Sequence, residues 1–185
     1  MARWRPDSRR RLQDAAVDLY AERGFAETTV AQVAERAGLT ERTFFRHFAD
    51  KREVLFANED ALRAALADAV AAADADATTS EAVLAGLDAV AADLQPRRDE
   101  LRRRTPIVAA TPELGERELQ KLASWRAALQ SALLDRGVDA ATAHLASEVG
   151  IAVLNVAAQA WLAADDEGDL AAGVRARFAA LRELA

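Results

Sequence analysis

Residues 24–56 read GFAETTVAQVAERAGLTERTFFRHFADKREVLF, and this stretch decides the fold of the first part of the chain. Thr29 and Gln32 have the spacing of a capping box, in which a hydroxyl and an amide each satisfy a backbone N–H of the first helical turn. Thr40 is a residue type that begins a second helix, and Gly38 stands where a left-handed residue ends the first. Two short helices joined by a tight glycine turn predict a helix-turn-helix.

The second of these helices carries three phenylalanines among charged residues, which indicates two different faces. A helix turns about 100° per residue, so Phe44 and Phe48 share one side and Phe45 is rotated away from them. We expect the first two rings to dock the helix onto its neighbours. The outward face then consists of Glu41, Arg42, Phe45 and Arg46.

A helix face that carries charged groups and a planar aromatic ring is typical of a helix that enters the major groove of DNA. Arginine pairs with the edge of guanine, and an apolar side chain can lie against a thymine methyl group. Phosphates attract hydroxyl, imidazole and ammonium groups. The predicted DNA-contacting residues are Thr28, Thr29, Thr40, Glu41, Arg42, Thr43, Phe45, Arg46, His47 and Lys51. The alternative is an ordinary solvated face, with Phe45 packed against the rest of the chain.

The same stretch resembles the N-terminal domain of the tetracycline-repressor (TetR) family. The matching elements include Thr28-Thr29-Val30, Ala37-Gly38-Leu39-Thr40, Phe44, Phe48 and Lys51. The resemblance implies a homodimeric transcriptional regulator, usually a repressor, that binds a palindromic operator in double-stranded DNA. It also implies a C-terminal domain whose small-molecule effector releases the DNA. At Phe45 the family very often has tyrosine, whose hydroxyl can reach a phosphate, so we expect stacking or apolar contact from Phe45 instead.

The composition of the 185-residue chain indicates an all-α globular protein. Hydrophobic residues make up 51% and charged residues 29%, and helical spacing of apolar residues continues throughout. Residues 1–55 carry a net charge of +2 and the remainder −8, so the overall acidity does not exclude a nucleic-acid partner. We predict a helix-turn-helix domain over residues 1–55 and a helical ligand-binding and dimerisation domain over residues 56–185.

Other classes of function find little support in the residue types. The chain has no cysteine and only two histidines, so we expect neither a metal site nor another cofactor, nor an enzyme. The most apolar stretch, residues 150–164, is shorter than the ~20 residues of a membrane span, which favours a cytoplasmic protein without a membrane partner. A dimeric sensor without DNA binding and a helical-bundle enzyme remain alternatives, although the paired Glu-x-x-His motifs of di-iron bundles are missing.

The C-terminal half offers weaker signals. The resemblance assigns residues 139–163 and 169–184 to a dimer interface, while the alternative is that they form the core of a monomer. Polar or amphipathic residues inside apolar helices are candidate ligand contacts, or else satisfied core groups: Trp125, His144, Asn155 and Gln159. The arginines at 102–104 either meet an anionic effector or form a solvated face. The arginines within residues 1–6 form either an arm that contacts DNA or a tail.

Overall fold

The computed structural model describes residues 8–166 and 168–181, and every regular element in these ranges is helical. The predicted all-α class is therefore confirmed. The chain divides into two compact units. The first contains the chain up to Asn58 together with Arg103–Glu118, and the second contains Glu59–Arg102 and the residues from Leu119 onward.

The first unit is a small helical domain built around the helix-turn-helix. Its helices are α1 (Ser8–Arg23), α2 (Val30–Arg36) and α3 (Glu41–His47), followed by a 3₁₀ turn at Glu53–Phe56. The Arg103–Glu118 segment adds the end of α6 (Arg98–Ala110) and the beginning of α7 (Pro112–Asp135). The largest side chains that are fully buried in this core are those of Leu12, Val33, Phe44, Val54 and Leu114.

The second unit is a bundle of longer helices. It comprises α4 (Glu59–Ala71), α5 (Thr79–Leu94), α8 (Ala140–Ala163) and α9 (Leu170–Ala180), with the remaining parts of α6 and α7. Gly86 on α5 lies so close to α4 that an added Cβ would stand 2.8 Å from a methyl group of Val70. Gly150 on α8 is similarly close to Val83, since its Cβ would lie 3.0 Å away. Small residues therefore let the helices of this bundle approach closely.

Aspartate side chains cap the first turns of α8 and α9. Asp139 accepts hydrogen bonds from the backbone N–H groups of Ala141 and Thr142, at 3.1 Å each, and Asp169 accepts one from Ala172 at 3.0 Å. The hydrogen bonds to Asp139 come from Thr142 and the first-turn backbone, and they lower the pKa of its carboxyl group. The predicted cap Asp7 and the last residues of the predicted 169–184 helix lie outside the described residues.

Two predicted helix boundaries are wrong. Asp50 and Glu53 have capping-box spacing, and the apolar pattern after them predicts a helix to about Ala73. Only a 3₁₀ turn follows Asp50, and α4 begins at Glu59. An oxygen of Asp50 accepts from the N–H groups of Arg52 and Glu53, but the 3₁₀ turn has no side-chain cap, and the Glu53 carboxylate pairs with Arg117. A break was expected at Pro106, yet α6 continues through it. Pro106 removes one internal hydrogen bond, and burial of Ile107 and Val108 just beyond it offsets that loss.

The sequence predicts a domain boundary after residue 55, but the first unit also includes Arg103–Glu118. Ile107, Val108 and Leu114 are buried in the same apolar cluster as the helix-turn-helix. Arg104 is buried there too, and its Nε donates to the backbone carbonyl of Leu55 at 2.8 Å. The segment 103–118 thus completes a core that the first 58 residues leave open.

The apolar helix α8 has a role in the second unit's core. It has 24 residues, and by length and composition alone it could cross a membrane. The apolar stretch 150–164, which the sequence analysis compares with a membrane span, is only part of this helix. Its buried residues, including Ile151, Leu154 and Trp161, join the main apolar cluster of the bundle. Packing inside the bundle accounts for only part of this composition, because 39% of the apolar window is buried.

Candidate nucleic-acid interface

The turn between α2 and α3 has the geometry that its sequence predicts. Thr29 accepts a hydrogen bond from the N–H of Gln32 at 3.3 Å, and the Gln32 side chain accepts from the N–H of Thr29 at 2.9 Å. Gly38 adopts a φ of 62°, a left-handed conformation that favours glycine, and its N–H donates to the carbonyl of Glu35 at 2.8 Å. Thr40 then caps α3 by accepting from Thr43 N–H at 3.2 Å. Both predicted caps and the glycine turn are confirmed.

Helix α3 has the two faces expected of it. Phe44 and Phe48 are buried, with their ring centroids 5.4 Å apart. Phe45 is 55% exposed. Its ring contacts that of Phe44 edge to face, with 5.5 Å between the two ring centroids. The exposed remainder of the helix is Glu41, Arg42 and Arg46.

The two outward arginines keep their charges available. Within residues 8–166 and 168–181, no carboxylate lies within 4.0 Å of a nitrogen of Arg42 or Arg46; Arg46 reaches only the imidazole of His47, at 3.4 Å. By contrast, Arg36 on α2 is engaged by a bidentate pair with Glu22, at 2.8 and 2.9 Å. The hydrogen bond from Arg36 lowers the pKa of Glu22. Because these two guanidinium groups have no carboxylate partner in the described ranges, they can bind an anionic or acceptor-rich partner.

Contacts with α1 hold α3 from the other side. The hydroxyl of Ser8 lies 2.8 Å from Nε2 of His47, at the end of α3. The guanidinium of Arg11 donates to the carbonyl of Ala37 just before the turn. The orientation of the outward face is therefore fixed by the whole first unit.

Two residues predicted to contact DNA have internal partners instead. Thr28 is only 1% exposed, and its hydroxyl donates to the carbonyls of Gly24 and Leu19, at 2.9 and 3.4 Å. Lys51 is half-buried, and its ammonium donates to three backbone carbonyls of the loop before α2. The structure leaves six of the predicted residues exposed, namely Thr29, Thr40, Glu41, Arg42, Phe45 and Arg46, while Thr43 and His47 are half-buried.

The residues that follow α3 form a compact polar group. Burial opposes ionisation of Asp50, but hydrogen bonds from the Arg52 side chain and from backbone N–H groups outweigh it and lower its pKa. Tyr20 donates its hydroxyl to the carbonyl of Lys51 at 2.7 Å. Burial, and secondarily the Asp50 carboxylate, raises the pKa of Tyr20 above its ordinary value. This group ties the end of the helix-turn-helix to α1.

The candidate ligand residues of the second unit differ in burial. Trp125 lies in the core beneath the ammonium of Lys121, which is 5.2 Å from the indole ring. His144 and Gln159 are exposed, and Asn155 is half-buried. The indole Nε1 of Trp125 is buried and has no hydrogen-bond partner among the residues that the structure describes.

The arginines at 102–104 each have a specific partner within the chain, and of the three only Arg103 is exposed. Arg102 donates to the carbonyls of Leu162 and Ala164 at the end of α8. Arg103 pairs with Asp18 in the first unit. Arg104 is buried, pairs with Glu118 at 2.5 Å and lies over the ring of Phe56 at 4.6 Å. The sequence showed only a run of charges, because all these partners are distant along the chain.

Comparison with known proteins identifies this helix-turn-helix. Residues 12–57 match the model of bacterial regulatory proteins of the tetR family. The helix-turn-helix domain of this chain is therefore of the tetR type. The match covers α1, α2, α3 and the 3₁₀ turn, the elements that present the outward face of α3.

Relatives of known sequence and structure extend this result beyond the first unit. The protein MftR of Mycobacterium tuberculosis, whose name assigns it to the regulation of mycofactocin biosynthesis, is 26% identical over 81% of this chain and 76% of its own. The HTH-type transcriptional regulator TcmR of Streptomyces glaucescens is 47% identical over 25% of this chain and 21% of its own. The fatty acid degradation regulator FadR of Bacillus halodurans has a similar fold, with a TM-score of 0.62, 21% identity and coverage of 96% and 95% of the two chains.

Proposed function

We propose that this chain is a member of the tetR family and acts as a homodimeric, cytoplasmic transcriptional repressor that binds palindromic operator DNA and is released by a small-molecule effector. The observation that carries the proposal is the division of α3. Phe44 and Phe48 anchor the helix, while Arg42, Phe45 and Arg46 are presented to solvent without carboxylate partners in the described chain. Such a surface suits the edges of base pairs.

Each exposed side chain of α3 has a counterpart in the major groove. Arg42 and Arg46 can pair with the O6 and N7 acceptors of guanine, and Glu41 can accept from the amino group of cytosine. The ring of Phe45 can lie against a thymine methyl group. The exposed hydroxyls of Thr29 and Thr40 are suited to phosphate oxygens, which position the protein without reading sequence.

Helix α8 supports the proposed homodimer through residues 139–163, with 169–184 completing the interface. Leu145 and Val156 lie on its outer side and are 65% and 54% exposed. Ala152 lies between them and is also exposed. A row of apolar side chains facing solvent on an otherwise packed helix is suited to a second copy of the same row. On a palindromic operator, half-sites about one DNA turn, roughly 34 Å, apart would each receive one α3 helix.

The proposed effector is a molecule with a substantial apolar part. Solved relatives of similar fold were obtained with such molecules: FadR of Bacillus subtilis with stearoyl-CoA, and SmeT with triclosan. The indole N–H of Trp125, which has no hydrogen-bond partner in the described part of the chain, offers a donor within an apolar core. His144, Asn155 and Gln159 are further candidate contacts. Release requires the effector to bind the DNA-incompetent state more tightly, with a coupling of ~1–3 kcal/mol typical of such systems.

Selection of binding sites from a random pool of duplex DNA tests the proposal. Purified protein should enrich a palindrome, and its affinity should fall steeply as salt increases, because bound phosphates release counterions. Enrichment of a site without two-fold symmetry would contradict the dimer. Negligible affinity for any duplex at low salt would contradict DNA binding itself.

A further inference from the structure

A groove of about 480 Å³ lies between α4 and α7 in the second unit. Its lining residues are Ala67, Asp68 and Ala71 on α4, and Ala128, Ser131, Ala132, Asp135 and Arg136 on α7. Half of these are alanines, whose short side chains leave a space between the two helices that larger residues would fill. The groove therefore has an apolar floor with polar groups at its edges.

Hydrogen bonds at both ends fix the walls of the groove. Near the start of α4, the hydroxyl of Ser124 on α7 donates to a carboxylate oxygen of Glu59 at 3.2 Å. Near the end of α4, the guanidinium of Arg136 donates to the backbone carbonyls of Val70 at 3.2 Å and Ala73 at 2.8 Å. The space between these two contacts is thus built into the packing of the bundle.

Two carboxylates stand on opposite walls of the groove. Asp68 on α4 and Asp135 on α7 are both exposed. Neither forms an ion pair or a side-chain hydrogen bond with another residue in the ranges 8–166 and 168–181. Arg136 also lines the groove, but backbone carbonyls at the end of α4 already accept from its guanidinium. The lining therefore offers negative charge that no side chain of the described ranges neutralises.

The indole of Trp125 is a separate indication that the groove takes an occupant. A helix turns about 100° per residue, so Trp125 shares a face of α7 with Ala128 and Ala132, which line the groove. Trp125 is 3% exposed, and its Nε1 has no hydrogen-bond partner among the described residues. A buried donor without an acceptor costs free energy, which an acceptor atom of a bound molecule would recover.

These groups lie at different positions along the groove. Trp125, with Lys121 over its ring, is about 15 Å along α7 from Asp135, at 1.5 Å per residue. Asp68 is near the end of α4, where Arg136 contacts that helix. The two carboxylates therefore share one end, and the alanines extend from them towards the indole.

We propose that this groove binds an elongated organic cation, with its charged nitrogen beside Asp68 and Asp135 and its apolar body along the alanines towards Trp125. Carboxylates attract such a nitrogen and repel the carboxylate, sulfonate or phosphate groups of anionic amphiphiles. The inference rests on the proposed function in one respect, because it names the chemical class of the effector. Binding to the groove itself does not depend on DNA.

Isothermal titration calorimetry with two ions of equal chain length tests the site without DNA. Decyltrimethylammonium and decanesulfonate have the same apolar chain and opposite charges, and both are used below the concentrations at which they form micelles. The wild-type protein should bind the cation at least about tenfold more tightly than the anion, because the carboxylates attract only the cation. Equal affinities would show that apolar contact alone binds the chain and would overturn the proposal.

A pair of double variants tests whether these two carboxylates are responsible. Asp68→Asn with Asp135→Asn keeps the side-chain shapes and should weaken binding of decyltrimethylammonium about tenfold, since two partly screened attractions are lost. Asp99→Asn with Asp165→Asn is the matched control, because both residues are exposed in the same unit and lie outside the groove lining. The control should bind like the wild type. Equal weakening in the two double variants would attribute the attraction to net charge and overturn the site.

Operator binding tests the regulatory part of the inference. Decyltrimethylammonium should weaken binding of the wild-type protein to the selected operator, and it should have less effect on Asp68→Asn with Asp135→Asn. The same variant controls for binding of the cation to DNA. Calorimetric binding of the cation with no change in operator affinity would overturn its role as an effector. A wild-type protein that binds no duplex would refute the proposed function, while the calorimetry would still decide whether the groove binds cations.

Discussion

Phe44 and Phe45 are neighbours in α3, but Phe44 is buried and Phe45 is exposed. Truncating each ring in turn therefore distinguishes a role in folding from a role in DNA binding. Phe44 is fully buried, and its ring packs against Phe48 at 5.4 Å. Phe44→Ala should cost ~3–5 kcal/mol of unfolding free energy, because it removes the ring and leaves a cavity. Whole domains are stable by only ~5–15 kcal/mol, so the first unit should be close to unfolded.

Phe45→Ala should behave differently because the ring is 55% exposed. Its main packing is the edge-to-face contact with Phe44, and such pairs contribute ~0.5–1.5 kcal/mol. We therefore expect a loss of about 1 kcal/mol in stability, with the fold retained. Affinity for the selected operator should fall about tenfold, which corresponds to one lost contact of ~1.4 kcal/mol.

Urea unfolding followed by circular dichroism measures the first quantity, and fluorescence anisotropy with labelled operator measures the second. The two variants have the same side-chain deletion, so each controls for the other. If Phe45→Ala destabilised the protein as much as Phe44→Ala, the assignment of faces would be refuted. Unchanged operator affinity in Phe45→Ala would remove Phe45 from the DNA contacts.

Four further substitutions test other parts of the structure. Arg42→Ala should weaken operator binding by ~1–3 kcal/mol, because it removes a contact to one base pair. Affinities for operators with single-base changes should then differ less at that base pair. Gly86→Ala should destabilise the protein by ~1–3 kcal/mol in urea unfolding, because the new methyl would lie 2.8 Å from a valine side chain. Gly115→Ala is the control and should not destabilise the protein, because its methyl would meet no neighbouring side chain of the described residues within 4 Å. The pKa of Asp50 is lowered on folding, so its stabilisation is present above the ordinary value of 3.8 and is lost as pH falls below it. Asp50→Asn should flatten that part of the stability profile in acid titrations. Leu145→Arg should leave the monomer folded and abolish dimers in sedimentation, because the side chain is 65% exposed; persistent dimers would place the interface elsewhere.

The helix-turn-helix was predictable because its signals are local. The capping box at Thr29, the cap at Thr40 and the left-handed Gly38 each depend on residues within three or four positions. The separation of Phe44 from Phe45 follows from helical geometry alone. These features were confirmed in the residue order and spacing that the sequence gives.

Roles that depend on distant partners were not predictable. The carbonyls around Lys51 lie 23 to 26 residues earlier in the chain, and the Leu55 carbonyl bound by Arg104 lies 49 residues away. Neither pairing leaves a periodic pattern. Thr28 illustrates the same limit, because its neighbour Thr29 is exposed and only the fold shows that Thr28 points inward.

The affinity ratio between the selected palindrome and a scrambled duplex of the same composition, at one salt concentration, is the measurement to make first once a site is in hand. Both duplexes offer the same phosphates, so the ratio isolates contacts to base edges from nonspecific charge attraction. If α3 reads sequence, the palindrome should bind at least ~10³-fold more tightly, with two chains per duplex. A ratio near one would contradict sequence recognition by the exposed face of α3.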